Sequence, residues 1–528
     1  MKNTFIKKGL VGLVSTALVA AFAVATPSAA RAADLTCTKA STKVETCTGT
    51  DADGAKFEIR MPSNFNGTLY VYAHGIRTNV NLPAIPVVAP TGSLIDYSPE
   101  VAPSATVATA LLKQGYALAG SGVRAQGWSL EEGTDAFLQV LTIAKDKYSK
   151  VNKVVAWGNS LGGLTAQAFA EQYSGAVDAV LPMCIADSAQ AEITMAGDFL
   201  WGLKTFFNPA IKGFDYSAGQ TGYVEMLTDL GTVLTTLLAL QTAIAANPTA
   251  PAWPATSTVP ASLKAIPVRS AILLLGLVSG ISTQSKTYDS SSGPAGALET
   301  TFGVAISPAL AVLENGAEAA ALAVLANYDM ERRAGGVVYD NSKTNFVARL
   351  GDDSQVYAAA LSGGTATTGM VGYLQLVAPK VTANAAAVAK LNSMYQLQGK
   401  IEVPTITLAA ASDHITPGGA VTYLNKQYAA AISAGTAKAN MLLNVWNKPA
   451  DSYSTFDASG AVTPAKTPNG VGHCNYTASQ VLAVARLAAA AAKSGKLPSM
   501  RTANAAIKND ANLFIDPNFE PPLLKFRQ

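Results

Sequence analysis

The sequence predicts an α/β protein, a mostly parallel sheet covered by helices and interrupted by a large, mainly helical insertion. Three observations carry this. Short apolar strands alternate with helical stretches over residues 56–190 and return near Val403. Strands apolar on both faces need helices on both sides, which is the habit of a parallel sheet. Between Ser188 and Val403 the alternation stops and helical periodicity takes over.

The elements follow in order. Residues 56–62, "KFEIRMP", alternate, Asn66-Gly67 supplies a turn, and "TLYVYAHG" continues as a buried strand. Helices are expected over 107–114, 131–148 and 161–173, and strands in "GYALAGSG", over 153–157 and in "AVDAVLPMCIA". After the insertion come the strand "VPTITLAAASD", a helix over 419–434 and the strand "MLLNVWN". A last helix starts at Thr477, where Gln480 completes a capping box, and ends before Gly495.

Within the insertion, Leu230, Val233, Leu234, Leu237, Leu238 and Ile244 fall on one helical face. "AILLLGLVSGI" is too short to span a bilayer. Residues 247–260 and 290–296 are Pro/Gly/Ser breaks, and no internal repeat is present.

An apolar share of 49% and a charged share of 14% describe a packed globular chain. The first 32 residues carry Lys2, Lys7, Lys8 and Arg31 and no acid, then an apolar run and the small-residue site Ala30-Arg31-Ala32. This is the pattern of a secretory signal cleaved after Ala32, leaving a secreted or periplasmic protein without a membrane span. Removing those four positive charges takes the net charge from +3 to −1. A nearly neutral chain without basic runs excludes a nucleic-acid partner. Four cysteines in an exported chain imply two disulfides, with three possible connectivities. Cys37 and Cys47 are spaced to staple a hairpin, which leaves Cys184 with Cys474.

The chemistry centres on Gly158-Asn159-Ser160-Leu161-Gly162. A G-x-S-x-G arises easily by chance in a glycine-rich chain, so its setting matters more than the match. Here it lies where a strand runs into a helix, which lifts Ser160 onto a sharp, strained turn with its hydroxyl exposed. Side chains at 158 and 162 would strike the neighbouring strand and helix. A serine hydroxyl needs a base. Of the three histidines, His473 sits in the glycine-rich loop "NGVGHCNYT" before the last helix, and is expected to be that base. Asp413, just past a strand, is expected to hold the imidazole, with Asp187 as the second choice. His414, adjacent to Asp413, is then expected to point away from the site. Scattered histidines speak against a zinc site, and no phosphate loop or other cofactor signature is present.

Together, the elbow, "AHG" after an early strand, "ASDHITP" after a late strand and "GHC" before the last helix resemble the α/β-hydrolase superfamily. The resemblance covers about residues 55–190 and 400–495, and the insertion lies where that superfamily carries a lid or cap. It implies a signal peptide (1–32), a core in two parts (33–190 and 399–497), a lid (191–398) and a tail (498–528). It also implies that His74-Gly75 marks the oxyanion loop, with the backbone amides of Ile76 and Leu161 as donors and His74 itself structural. "GHCNYT" is similar to secreted tannases and feruloyl esterases, in which a cysteine before the nucleophile pairs with the one beside the histidine. Asn159 holds that place here, and Cys184 is the candidate substitute.

The reading is a secreted serine hydrolase cleaving carboxylic esters of small-molecule, lipid or polymeric substrates. Phe199, Trp201, Phe206 and Phe207 and the apolar helices suggest a hydrophobic acyl or aryl pocket. The alternative is an exported peptidase whose lid acids, Glu192, Asp198, Glu225 and Asp229, bind a free amino terminus.

Overall fold

The computed structural model describes residues 33–39, 43–85, 89–289, 303–450, 452–456 and 469–527. The expected signal peptide, 1–32, and the expected break at 290–296 lie outside them.

The described strands are β1 (Ala33–Lys39), β2 (Val44–Thr50), β3 (Lys56–Pro62), β4 (Thr68–Ala73), β5 (Ala117–Ser121), β6 (Lys153–Asn159), β7 (Ala179–Met183), β8 (Thr405–Ala410), β9 (Leu442–Asn447) and β10 (Leu513–Phe514). They form one sheet in the order β1-β2-β3-β5-β4-β6-β7-β8-β9-β10. From β5 to β9 every pairing is parallel. Antiparallel strands extend both edges. The central strands are buried on both faces, as the unbroken apolar runs require.

Helices α1 (Ala105–Lys113), α2 (Leu130–Lys147) and α3 (Leu161–Gln172) belong to the first half of the sheet. Phe137, Val140 and Phe169 of α2 and α3 cover Leu69, Val71 and Val154 on one face. On the other face Val107 and Leu111 of α1 join Tyr70, Trp157 and Leu181.

Between β7 and β8 the chain is helical: α4 (Ala189–Phe206), α5 (Gly219–Ala246), α6 (Ala261–Lys264), α7 (Val268–Ser279), α8 (Ser307–Ala334), α9 (Phe346–Leu350), α10 (Asp353–Val356), α11 (Gly364–Gly372) and α12 (Ala385–Ser393). α13 (Gly419–Ser433), α14 (Ala478–Ser494) and α15 (Met500–Ile507) complete the α-helices among the described residues. The expected capping box of Thr477 and Gln480 is formed at α14.

By length and composition α5 and α8 could each cross a membrane. In the fold they pack on each other, and α8 also packs on α4 and α7, around a second apolar core. Leu230, Val233, Leu237 and Ile244 point into that core, but Leu238 is 63% exposed. Each helical residue turns about 100° from the last, and Leu238 falls off the stripe on which Leu237 lies. Phe199, Trp201, Phe206 and Phe207 are buried in the same core.

The chain turns at Asn66-Gly67 as expected, but β3 and β4 do not pair across it, because β5 lies between them. Instead Asn66 ties to the loop before β5 through Gly115 O and Gln114 O, and Gly67 O accepts the amides of Asn152 and Lys153. The segment after 498 is not a plain tail. It contributes α15 and the edge strand β10, and Arg527 near its end reaches Asp187.

Candidate active site

The elbow forms where β6 enters α3. Ser160 has φ 57° and ψ −125°, a strained conformation for a residue with a Cβ. Its amide donates to Met183 O at 3.0 Å, which pins the turn to the end of β7. A Cβ on Gly158 or Gly162 would run into backbone carbonyls, those of Ala73 and Gly162 in the first case and of Ala73 and His74 in the second. Both glycines are therefore required by close approach.

His473 Nε2 lies 2.9 Å from Ser160 Oγ, and its Nδ1 lies 3.1 Å from each carboxylate oxygen of Asp413. The three residues that the sequence singled out are thus in hydrogen-bonding contact. Asp413 is fixed in turn by the amides of Ile415, Thr416 and Cys474 and by the Thr416 hydroxyl. Burial opposes its ionisation, yet the His473 charge and hydrogen bonds outweigh that and hold it at about 2. Burial likewise pulls His473 down, but the Asp413 carboxylate prevails and its pKa is raised.

Asp187, the second choice, is taken by Arg527, whose Nε donates to it at 2.8 Å. His74 is buried with Nδ1 2.7 Å from Gly75 O. The chain at Gly75 passes beside the elbow, where a Cβ would sit 3.4 Å from Asn159 O and from Ser160 Cβ. The next residue, Ile76, and Leu161 both line the cleft at Ser160. Neither amide has an acceptor among the described residues.

The disulfides join Cys37 to Cys47 and Cys184 to Cys474. The second anchors the residue after His473 to the end of β7, beside the elbow rather than on it. Two disulfides are compatible with an oxidising compartment. Donor atoms of Asp413, His473 and Cys474 cluster within 4.8 Å, but that sulfur is in the disulfide and the other two groups bind each other.

The cleft is narrow, about 70 Å³, and part of it is open to solvent. Ile193 and Ala196 of α4 and Leu322 and Ala323 of α8 supply much of an aliphatic wall. The four aromatics at the start of the helical region do not reach it; they fill the helical core instead.

His414 is a correction. It lines this cleft, with Nε2 3.1 Å from Glu318 Oε2 on α8. Alternation of side chains holds only in extended chain, and here Asp413 accepts the amides two and three residues on, so the backbone turns. Thr416 was also missed; its hydroxyl lies 3.1 Å from Asp413 and 3.4 Å from His473 Nδ1. An Asp followed three residues later by Thr, between strand and helix, is the turn signal that would have found it. Of the four acids in the helical region, Asp198 pairs with Arg349, Glu225 with Lys212, and Asp229 with Tyr216 and two amides. Only Glu192 lines the cleft.

No family model matches the chain, and no curated protein does. Among solved structures it is similar to feruloyl esterase B from Aspergillus oryzae, at 11% identity and a TM-score of 0.33, over 84% of this chain and 80% of that one. It is similar to an esterase from Aspergillus oryzae at 10% identity and a TM-score of 0.31, over 76% and 71%. It is also similar to an acylaminoacyl peptidase of Pyrococcus horikoshii at 12% identity and a TM-score of 0.20, over 31% and 24%.

Proposed function

We propose that this chain is an exported serine hydrolase of the α/β-hydrolase type that cleaves carboxylic esters through an acyl-enzyme. The single observation that carries the reading is the continuous contact from Ser160 through His473 to Asp413, opening on an apolar cleft.

His473, with its Nδ1 hydrogen on Asp413, presents the Nε2 lone pair to Ser160. Nε2 takes the hydroxyl proton as Oγ bonds to the ester carbon, and the carbonyl oxygen becomes an oxyanion. The amides of Ile76 and Leu161 and the amino end of α3 stabilise that charge. On collapse the C–O bond to the alcohol breaks, and Nε2–H protonates the departing oxygen. Water, deprotonated by the same nitrogen, then attacks the acyl-serine and releases the acid. Asp413 stays ionised throughout and stabilises the imidazolium. The helical region acts as the lid and supplies the aliphatic wall for the substrate. Ester cleavage is favoured over the peptidase alternative because three of the four lid acids are spent on internal partners, leaving no cluster for an ammonium group.

The test is turnover of p-nitrophenyl esters from acetate to palmitate, with an aromatic acyl ester and an aminoacyl anilide alongside. The reading expects ester turnover that Ser160→Ala abolishes while thermal melting is unchanged. Equal turnover in that variant, or preference for the anilide, contradicts it.

A further inference from the structure

We propose that Glu192 and His414 form a polar subsite that selects esters bearing one uncharged hydroxyl within a few bonds of the scissile carbonyl. This rests on the reading of Ser160 as the nucleophile. The cleft is hydrocarbon on most sides, so each polar group facing it stands out. Glu192 lies in the first turn of α4, and its Oε1 accepts the Asp187 amide at 3.1 Å. Its Oε2 has no partner among the described residues. His414 is 4% exposed, and while Nε2 is engaged by Glu318, its Nδ1 is buried without a partner. Buried polar groups are seldom left unpaired without a reason. The buried, unpaired His414 Nδ1 and the half-buried Glu192 carboxyl, on residues that line one apolar cleft beside Ser160, point to a polar group on the ligand.

The chemistry of the two groups narrows that ligand. Burial pushes Glu192 up to about 8; the nearby Asp187 and Asp413 add to the rise, while the Asp187 amide and His473 oppose it. At neutral pH it is mostly an uncharged acid that both donates and accepts. His414, whose Nε2 faces Glu318, has Nδ1 left over as a donor or an acceptor. A hydroxyl, one donor and two acceptors, satisfies either group. An ammonium group is a donor only and cannot accept from the Glu192 proton. Glu192 lies close enough to His473 and Asp413 to feel their charges, which sets the hydroxyl near the reacting carbonyl.

The test compares kcat/KM by pH-stat on two matched pairs, ethyl butyrate with ethyl 3-hydroxybutyrate and butyl acetate with 3-hydroxybutyl acetate. The first pair carries the hydroxyl on the acyl side and the second on the alcohol side. In at least one pair the hydroxylated ester is expected to lead by about tenfold or more, since a site built to hold a hydroxyl rejects the analogue that lacks it. Glu192→Leu is expected to collapse that ratio, and Glu192→Gln, which keeps a donor and an acceptor, to retain most of it. Ratios near one in both pairs, or a preference that Glu192→Leu leaves intact, overturn the subsite and leave the esterase reading standing. Hydrolysis of none of the four esters overturns both.

Discussion

The carboxyl ends of the central strands and the helical region from α4 to α12 are both buried and apolar, yet they are specified differently. At the strand ends the backbone dictates the residue. Gly158 and Gly162 are where they are because carbonyls leave no room for a Cβ, and Ser160 holds a positive φ that the packing around it enforces. In the helical region side chains fill space, and α7 is buried on every side. One region sets where atoms must be; the other sets what shape remains between them. The difference teaches that, on the proposed reading, chemistry belongs to the part fixed by backbone and selectivity to the part filled by side chains.

The sharpest way to break that contrast is to remove single groups from the part fixed by backbone. Ser160→Ala should cost about 10⁶-fold in kcat with no loss of melting temperature. Asp413→Asn should cost about 10⁴-fold, measured as kcat/KM across pH. On the proposed mechanism the neutral imidazole is the active form, and the Asp413 carboxylate raises its pKa above the usual 6.5. Activity should therefore climb with pH through a midpoint above that value. In the variant the midpoint should move to lower pH, because the carboxylate that favoured the imidazolium is gone.

Next in size is the tether. Cys184→Ser with Cys474→Ser opens a link spanning 290 residues. The expected cost is about 2–5 kcal/mol, read by denaturant unfolding, with kcat falling as the His473 loop loosens. A pair of neighbours tests the packed part, and one of them carries the smallest effect. Leu237 is 3% exposed and its neighbour Leu238 63%. Leu237→Ala should cost about 2–5 kcal/mol and Leu238→Ala no more than about 0.5 kcal/mol. Equal costs would mean that the helical core is not packed as described.

The same contrast explains what could be read from the sequence. The positions of Ser160 and Asp413 were legible because each follows a strand closely, and that of His473 because it lies in a glycine-rich loop before the last helix. The strand rhythm from 56 to 183 and from 405 to 447 was legible as well. The helical region was legible as helix but not as surface. Where most residues are apolar, periodicity could not tell Leu237 from Leu238, nor core aromatics from cleft lining. His414 was misjudged because a rule for extended chain was applied to a segment that turns. The Asn66-Gly67 turn was genuine, but local turn chemistry cannot show that β5 inserts between its neighbours. Arg527 on Asp187 was invisible, since that pair spans 340 residues.

The central claim is that Ser160 is a nucleophile activated by His473. The most direct measurement is labelling with a fluorophosphonate probe followed by peptide mapping. The account predicts one adduct, on Ser160, formed rapidly in the parent protein and lost in His473→Ala. No adduct, an adduct on another residue, or labelling that is indifferent to His473 would contradict it.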